Sequence, residues 1–479
     1  MKSMSSFRVP INQVPMGAQS KLMHTLDMKN HISTIHVILE IDGPPINVKQ
    51  LRKLCNKKLL CYDKFSSYID PKSLSWVKTN VDISYHVNKI KLNLNGRTCK
   101  KAMEDFVSSI LPVPFEPNKP PWMAYILYHD SSEPNYVVLK LSHCLGDGNM
   151  LSAILTSLGK QKDKKCNTNK QNLSSKKTSY DYSHYITMFA IACYLLYICG
   201  LQYAVTYVVL CLIINNYSLI KKCKYVYTGT PPTCLRATPE LVGYNKLFIK
   251  GNTMSLFKIK QIGNAIGYPT KATVNDVMLL LISSAISKYH IHRKERVPKV
   301  AHMLAITGSN RHQQKKTKKE LQYEYSQKET ENDISFYLVP LDLSINSNKA
   351  HKLHTIQKMM TDIKQSPEHL LALWGLKICN FFLGIDKCAS IITSISRNVS
   401  DSYISNVVGP SHKMTLCKRP VRAIYNCTSP LKLSITFNIL SYGGDITICC
   451  ASDKNHVPDL DVLVDYIYKE YTFLCKTYL

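Results

Sequence analysis

Acidic residues are scarce in this chain. Asp and Glu number 33 in 479 residues, against 61 Lys and Arg, a formal excess of +28. Such a balance favours anionic partners: nucleic acid, an anionic membrane face or a polyanionic ligand. The signals of nucleic-acid binding are missing. There is no zinc-finger spacing, no RNP-like aromatic motif and no long Arg-rich block. No nucleic-acid partner is therefore expected. The 17 cysteines contain no C-x-x-C pair, and several, such as Cys193, Cys199 and Cys211, lie inside apolar runs. They read as reduced, buried thiols of an intracellular protein, and no metal site is expected. Met1 to Lys21 lacks the continuous apolar core of a signal peptide. The globular parts are expected to face the cytosol.

What is present centres on His143-Cys144-Leu145-Gly146-Asp147-Gly148. A β-type run, Tyr136–Leu141, precedes it. Met150, Leu151, Ile154, Leu155 and Leu158 follow at helical spacing. A histidine thus stands where a buried strand ends, and Gly146 and Gly148 let the backbone turn tightly. A rigid element carrying an imidazole suits a general base. Cys144 adjoins His143, but neighbours on a strand point opposite ways, so a Cys–His couple is not expected.

Residues 1–159 read as alternating strands and helices. They include a strand at His36–Ile41 and a hairpin joining Tyr125–Tyr128 to Tyr136–Leu141. Lys160 to Lys177 is a polar linker. Tyr185 to Ile214 then runs for about thirty residues without a formal charge, more than the roughly 20 needed to span a bilayer. As one helix it measures roughly 45 Å, longer than the hydrocarbon core. Gly200 lies near its centre. Lys176 and Lys177 precede it, and Lys221, Lys222 and Lys224 follow. This symmetry suits a hairpin entering and leaving one face, while a buried helix pair is the bland alternative. From 226 to 479 the chain is globular again. Thr273 is an N-cap candidate for an apolar helix through Ile286. Arg311 to Asn332 reads as a charged loop. Ser441-Tyr442-Gly443-Gly444 reads as a hairpin turn, and Leu460 to Leu474 as one face of a closing helix.

The motif resembles the HHxxxDG signature of CoA-dependent acyltransferases. Further elements narrow the likeness. They are Pro120-Pro121-Trp122, Thr273-Val274-Asn275-Asp276-Val277, Ser405-Asn406-Val407-Val408-Gly409-Pro410, and Ser441-Tyr442-Gly443-Gly444 followed by Asp453. In this order they are similar to the wax ester synthase/diacylglycerol acyltransferase family, from about Pro10 to the C-terminus. The chain departs from the pattern at Ser142, which replaces the first motif histidine, at Pro121 and at Val408. Its apolar insert is absent from compact bacterial members.

The resemblance implies an α/β fold of two chloramphenicol-acetyltransferase-like domains, at 1–159 and 226–479. A tunnel would run between them, and the inserted segment 160–225 would carry the membrane hairpin. It implies acyl-CoA as co-substrate, no other cofactor, and a long-chain alcohol or diacylglycerol as acceptor. His143 would be the base for direct attack on the thioester, without an acyl-enzyme. Asp147 would hold the loop, with Arg311 as a guessed partner. Gly148 would let the CoA arm approach the backbone. Asn275 has two readings, an oxyanion donor or a helix-start residue. Trp122 also has two, tunnel lining or core packing. Ser142, Asn406 and Gly409 are further candidates to touch substrate. A membrane site, at the endoplasmic reticulum or the plasma membrane, follows from the insert. Rival readings are another acceptor (a sterol, a monoacylglycerol, a short alcohol) or a non-catalytic lipid-binding protein of the same fold.

Overall fold

The computed structural model describes residues 13–30, 34–146, 148–161, 230, 233–236, 245–267, 270–308, 334–345, 348–366, 379–430 and 433–479. Two seven-stranded sheets carry the described fold. The first runs from edge to edge as Val87–Lys91, Trp122–Tyr128, Asn135–Ser142, Thr34–Ile41, Arg419–Thr428, Met414–Leu416 and Lys160–Gln161. Its centre is the antiparallel pair Thr34–Ile41 and Asn135–Ser142, in register from Thr34 opposite Ser142 to Ile41 opposite Asn135. Every residue of both strands is buried, as their near-continuous apolar runs require. The expected hairpin forms, with Trp122 opposite Leu141 and Leu127 opposite Tyr136.

In the second sheet the order is Asp445–Asp453, Ile435–Tyr442, Ser402–Val408, Val300–Gly308, Ile334–Asp342. Lys246–Lys250 and Met254–Ser255 share the outer edge of Asp445–Asp453. The expected turn joins Tyr442 to Asp445 through Gly443 and Gly444, at φ +58° and +93°. Two left-handed positions in succession are what a tight hairpin needs, and glycine takes them without a Cβ clash. Asp453 ends this sheet, buried and paired with Lys246 Nζ at 3.0 Å.

Chain position and sheet membership part company at one place. Arg419–Thr428 lies within the C-terminal half of the sequence, yet it ladders onto Thr34–Ile41, with Cys427 opposite His36, and Met414–Leu416 pairs onto its far side. The physical reason is the open edge that Thr34–Ile41 otherwise presents. A buried edge must hydrogen-bond its backbone groups, and this crossing strand supplies the partners. The two sheets also share a core. Ile38, Val138, Tyr425 and Cys427 of the first pack with Phe248, Cys449 and Ala451 of the second. The expected polar linker, from residue 162 on, the apolar stretch at 185–214 and the 311–332 insertion lie outside the described residues. Among the described residues no helix is long and apolar enough to cross a membrane.

Candidate active site

The motif begins where the central strand ends. Ser142 is the last strand residue, and His143–Leu145 forms a single 3-10 turn capped by the Ser142 hydroxyl, which accepts from the Cys144 N–H. His143 therefore stands just beyond the strand, on the turn. The helix expected from the apolar spacing follows as Gly148–Leu158. Ile154, Leu155 and Leu158 bury its face in the core cluster that also holds Val37, Leu139 and Leu141.

His143 retains some solvent exposure, but its Nδ1 is buried. Burial pulls the imidazole down from its ordinary value to about 4, against a ring hydrogen bond to its own backbone that pushes the other way. The ring is uncharged at neutral pH, the form a base requires. Ser142 turns away from this task. Its hydroxyl donates to Asp27 Oδ2 at 2.9 Å and touches Cys144 Sγ at 3.1 Å. Asp27 belongs to helix Ala18–Asn30, which also reaches the turn through Ser20 Oγ donating to the Cys144 carbonyl at 3.3 Å. Ser142 thus ties the turn to a helix and supports it from behind. Asp27 escaped the sequence reading because nothing local marks an aspartate more than a hundred residues away. Cys144 is fully buried and burial pushes its thiol up to about 12, so it is no nucleophile at neutral pH.

At Gly148 a Cβ would meet Val407 Cγ2 at 3.1 Å. Val407 of the second sheet packs close to it. The glycine permits close approach of the two halves. One turn on, Ser152 Oγ donates to the Val408 carbonyl at 3.0 Å. The His143 motif is thereby fastened to strand Ser402–Val408.

On that strand, Asn406 Nδ2 donates to Asn275 Oδ1 at 3.2 Å. Asn275 sits in the first turn of helix Val274–His292, whose start is a full capping box. Thr273 Oγ1 accepts from the Asp276 N–H at 3.2 Å, and Asp276 Oδ2 accepts from the Thr273 N–H at 2.8 Å. Capping is done by Thr273 and Asp276, which leaves the Asn275 amide for Asn406. Its Oδ1 is the atom that faces Asn406. Gly409 is a packing glycine: its N–H donates to the Ser441 carbonyl at 3.0 Å, and a Cβ would lie 2.5 Å from that oxygen.

Trp122 resolves into the core. It is fully buried, stacks on His86 at 4.4 Å between centroids, and donates from Nε1 to the Phe65 carbonyl at 2.9 Å. With no exposed surface, one face stacked and its one donor satisfied within the protein, the indole takes the packing reading of the two. Asp147 and Arg311 lie outside the described residues. Around His143 no metal-type donor cluster forms among the described residues. His143, Gly148, Asn275 and Asn406 are thus linked through one strand, Ser402–Val408. The arrangement places an uncharged imidazole and the Asn275–Asn406 amide pair on elements joined to strand Ser402–Val408.

Comparison with known proteins gives the family and the fold. The wax ester synthase/diacylglycerol acyltransferase catalytic domain matches residues 19–204, and the C-terminal domain of the same family matches residues 330–474. Among curated relatives, wax ester synthase/diacylglycerol acyltransferase 5 of Arabidopsis thaliana is 22% identical, over 94% of this chain and 91% of its own length. Wax ester synthase/diacylglycerol acyltransferase 10 of the same plant is 21% identical over 96% of each. Among solved structures, the wax ester synthase/diacylglycerol acyltransferase from Marinobacter aquaeolei VT8 superposes with a TM-score of 0.60 at 16% identity, covering 96% of this chain and 98% of that one. The first condensation domain of the CDA synthetase shares the fold at a TM-score of 0.54 and 10% identity, over 98% and 97% of the two chains.

Proposed function

This chain belongs to the wax ester synthase/diacylglycerol acyltransferase family and is an acyltransferase, and from that premise we propose that it moves a fatty acyl group from acyl-CoA to a long-chain alcohol or to diacylglycerol. The observation that carries the reading is the uncharged imidazole of His143 at the seam of the two sheets. In the proposed step the acceptor hydroxyl gives its proton to His143 as its oxygen bonds to the thioester carbonyl carbon. Nε2 takes the proton, since it is the ring nitrogen farther from the main chain. The tetrahedral intermediate collapses, the C–S bond breaks, and the proton passes to the departing CoA sulfur. The Asn275 NH2 donates to the oxyanion meanwhile. No acyl-enzyme is formed. The test is CoA release with a panel of acceptors: long-chain alcohols, diacylglycerol, a monoacylglycerol, a sterol and short alcohols. Turnover confined to the last three classes would overturn the acceptor assignment, and absence of turnover with all of them would overturn catalysis.

A pH profile follows from the depressed imidazole. His143 stays neutral as pH falls through 6.5 and is protonated only as pH falls through about 4. The acid limb of kcat/KM should therefore lie near 4, and activity should persist where an ordinary histidine would already be charged. An acid limb at 6.5 would contradict the burial of the ring.

The uncharged stretch at 185–214 is a membrane hairpin in this reading, anchoring the enzyme where apolar acceptors dissolve. The ties from Gly148 and Ser152 to Val407 and Val408 support it. They hold the chain before and after the stretch in one body, so both flanks lie on the same side of a membrane. The flanking lysines then meet anionic headgroups on the cytosolic face, at the endoplasmic reticulum. Tags inserted at Ser174 and Thr228 should show the same protease accessibility in sealed microsomes. Opposite accessibility would sink the hairpin.

A further inference from the structure

A second cluster of chemistry-bearing side chains stands apart from the acyl-transfer site. Cys234 Sγ is 3.4 Å from His290 Nε2. Donor atoms of Cys234, His290 and Glu295 all lie within 4.8 Å of one another. His290 and Glu295 sit at the C-terminal end of helix Val274–His292 and just past it, with the Glu295 N–H donating to the His290 carbonyl at 3.0 Å. Cys234 arrives from elsewhere, on the short segment Thr233–Arg236 that follows the apolar stretch.

We propose that Cys234, His290 and Glu295 form a binding site for a divalent zinc-type cation, which clasps the 233–236 segment to the C-terminal half. The spacing fits. With a Zn–S bond of about 2.3 Å and a Zn–N bond of about 2.0 Å at a tetrahedral angle, sulfur and nitrogen stand about 3.5 Å apart. The donor set is one sulfur, one imidazole and one carboxylate. It selects zinc or cobalt over magnesium and calcium, which take all-oxygen shells. Three protein ligands leave a fourth position for water. His290 is buried, and its Nδ1 has no hydrogen-bond partner among the described residues. Its burial keeps the ring neutral and ready to ligate. Burial also holds the Cys234 thiol protonated, at about 12, with the Glu295 charge adding to the effect and Arg293 opposing it. Binding then releases one proton: thiol and M(II) give a metal thiolate and H+, which leaves to solvent. Arg293 approaches one Glu295 oxygen at 3.7 Å, which leaves the other for the metal.

The surroundings make a clasp worthwhile. Arg236 pairs with buried Asp401 at 2.8 Å and donates to the Asn398 carbonyl at 2.7 Å, and the Ser434 hydroxyl donates to the Leu235 carbonyl. The segment is already tied by ion pair and hydrogen bonds, and the cation adds a bond to the helix end. The site is not catalytic for acyl transfer: Asn275, at the other end of the same helix, is roughly 22 Å away at 1.5 Å per residue.

Full-length protein purified in chelator-free buffer should carry about one equivalent of zinc by elemental analysis. Cobalt added to stripped protein should give visible thiolate–cobalt absorption. Cys234→Ser should abolish that absorption and weaken cobalt binding about a hundredfold or more. Glu295→Gln, on an exposed residue whose change leaves the fold intact, should weaken it measurably. Chelation should lower the melting temperature of the wild type and not that of Cys234→Ser, while acyl-transfer turnover is retained. Equal cobalt binding by the wild type and both variants, or none by any, would overturn the site and leave a thiol–imidazole hydrogen bond.

Discussion

His143→Ala is expected to lower kcat for acyl transfer at least about a hundredfold, the ordinary scale of losing a general base, while the protein stays folded. The loss should fall on kcat and kcat/KM together, because the ring acts on the hydroxyl proton in the transition state. Circular dichroism of the variant guards against unfolding, and CoA release is the measurement. Ser142→Ala is the control. It removes one hydroxyl bonded to the Asp27 carboxylate at 2.9 Å, worth about 1.5–3 kcal/mol of stability as a bond to a charged group, and it leaves the imidazole in place. Near-normal turnover in His143→Ala, or equal damage from both substitutions, would show that the proton goes elsewhere.

Trp122→Ala should have the largest effect on stability, about 3–5 kcal/mol for a fully buried indole. It empties the space between His86 and Phe65, and it leaves the Phe65 carbonyl without its donor. Denaturant unfolding with an unchanged m-value would read the loss as stability alone. Trp122→Phe separates packing from substrate contact. It keeps most of the volume, so it should retain most of the stability and leave acyl chain-length preference unmoved. A shift in chain-length preference without a stability loss would place the indole in the substrate tunnel after all.

Much of the local structure was legible in the chain, for reasons confined to a few neighbouring residues. The Thr273–Asp276 capping box is a contact across three positions. The Gly443-Gly444 turn needs only two positive φ angles. The strand ending at Ser142 follows from a near-continuous apolar run, and the helix beginning at Gly148 from apolar spacing of period 3.6. The position of His143 between them was readable in the same way. Where the sequence left a role open, the missing information was a distant partner. A glycine's pattern at 148 says that something comes close and not what; in the fold Val407 comes close. Trp122 had two readings until burial and the stacked His86 ring placed it in the core.

By itself, then, the sequence determined the elements, their caps and turns, and the place of His143 at a strand end, since each rests on backbone preference or periodicity over a few residues. Tertiary structure alone decided which sheet Met414–Thr428 joins, that Asn406 meets Asn275, that Asp27 backs the His143 turn, and that Cys234, His290 and Glu295 converge. These contacts have no period and no fixed spacing. They are set when buried strand edges and polar atoms must find partners on a folding chain, and the partners available lie far away in sequence.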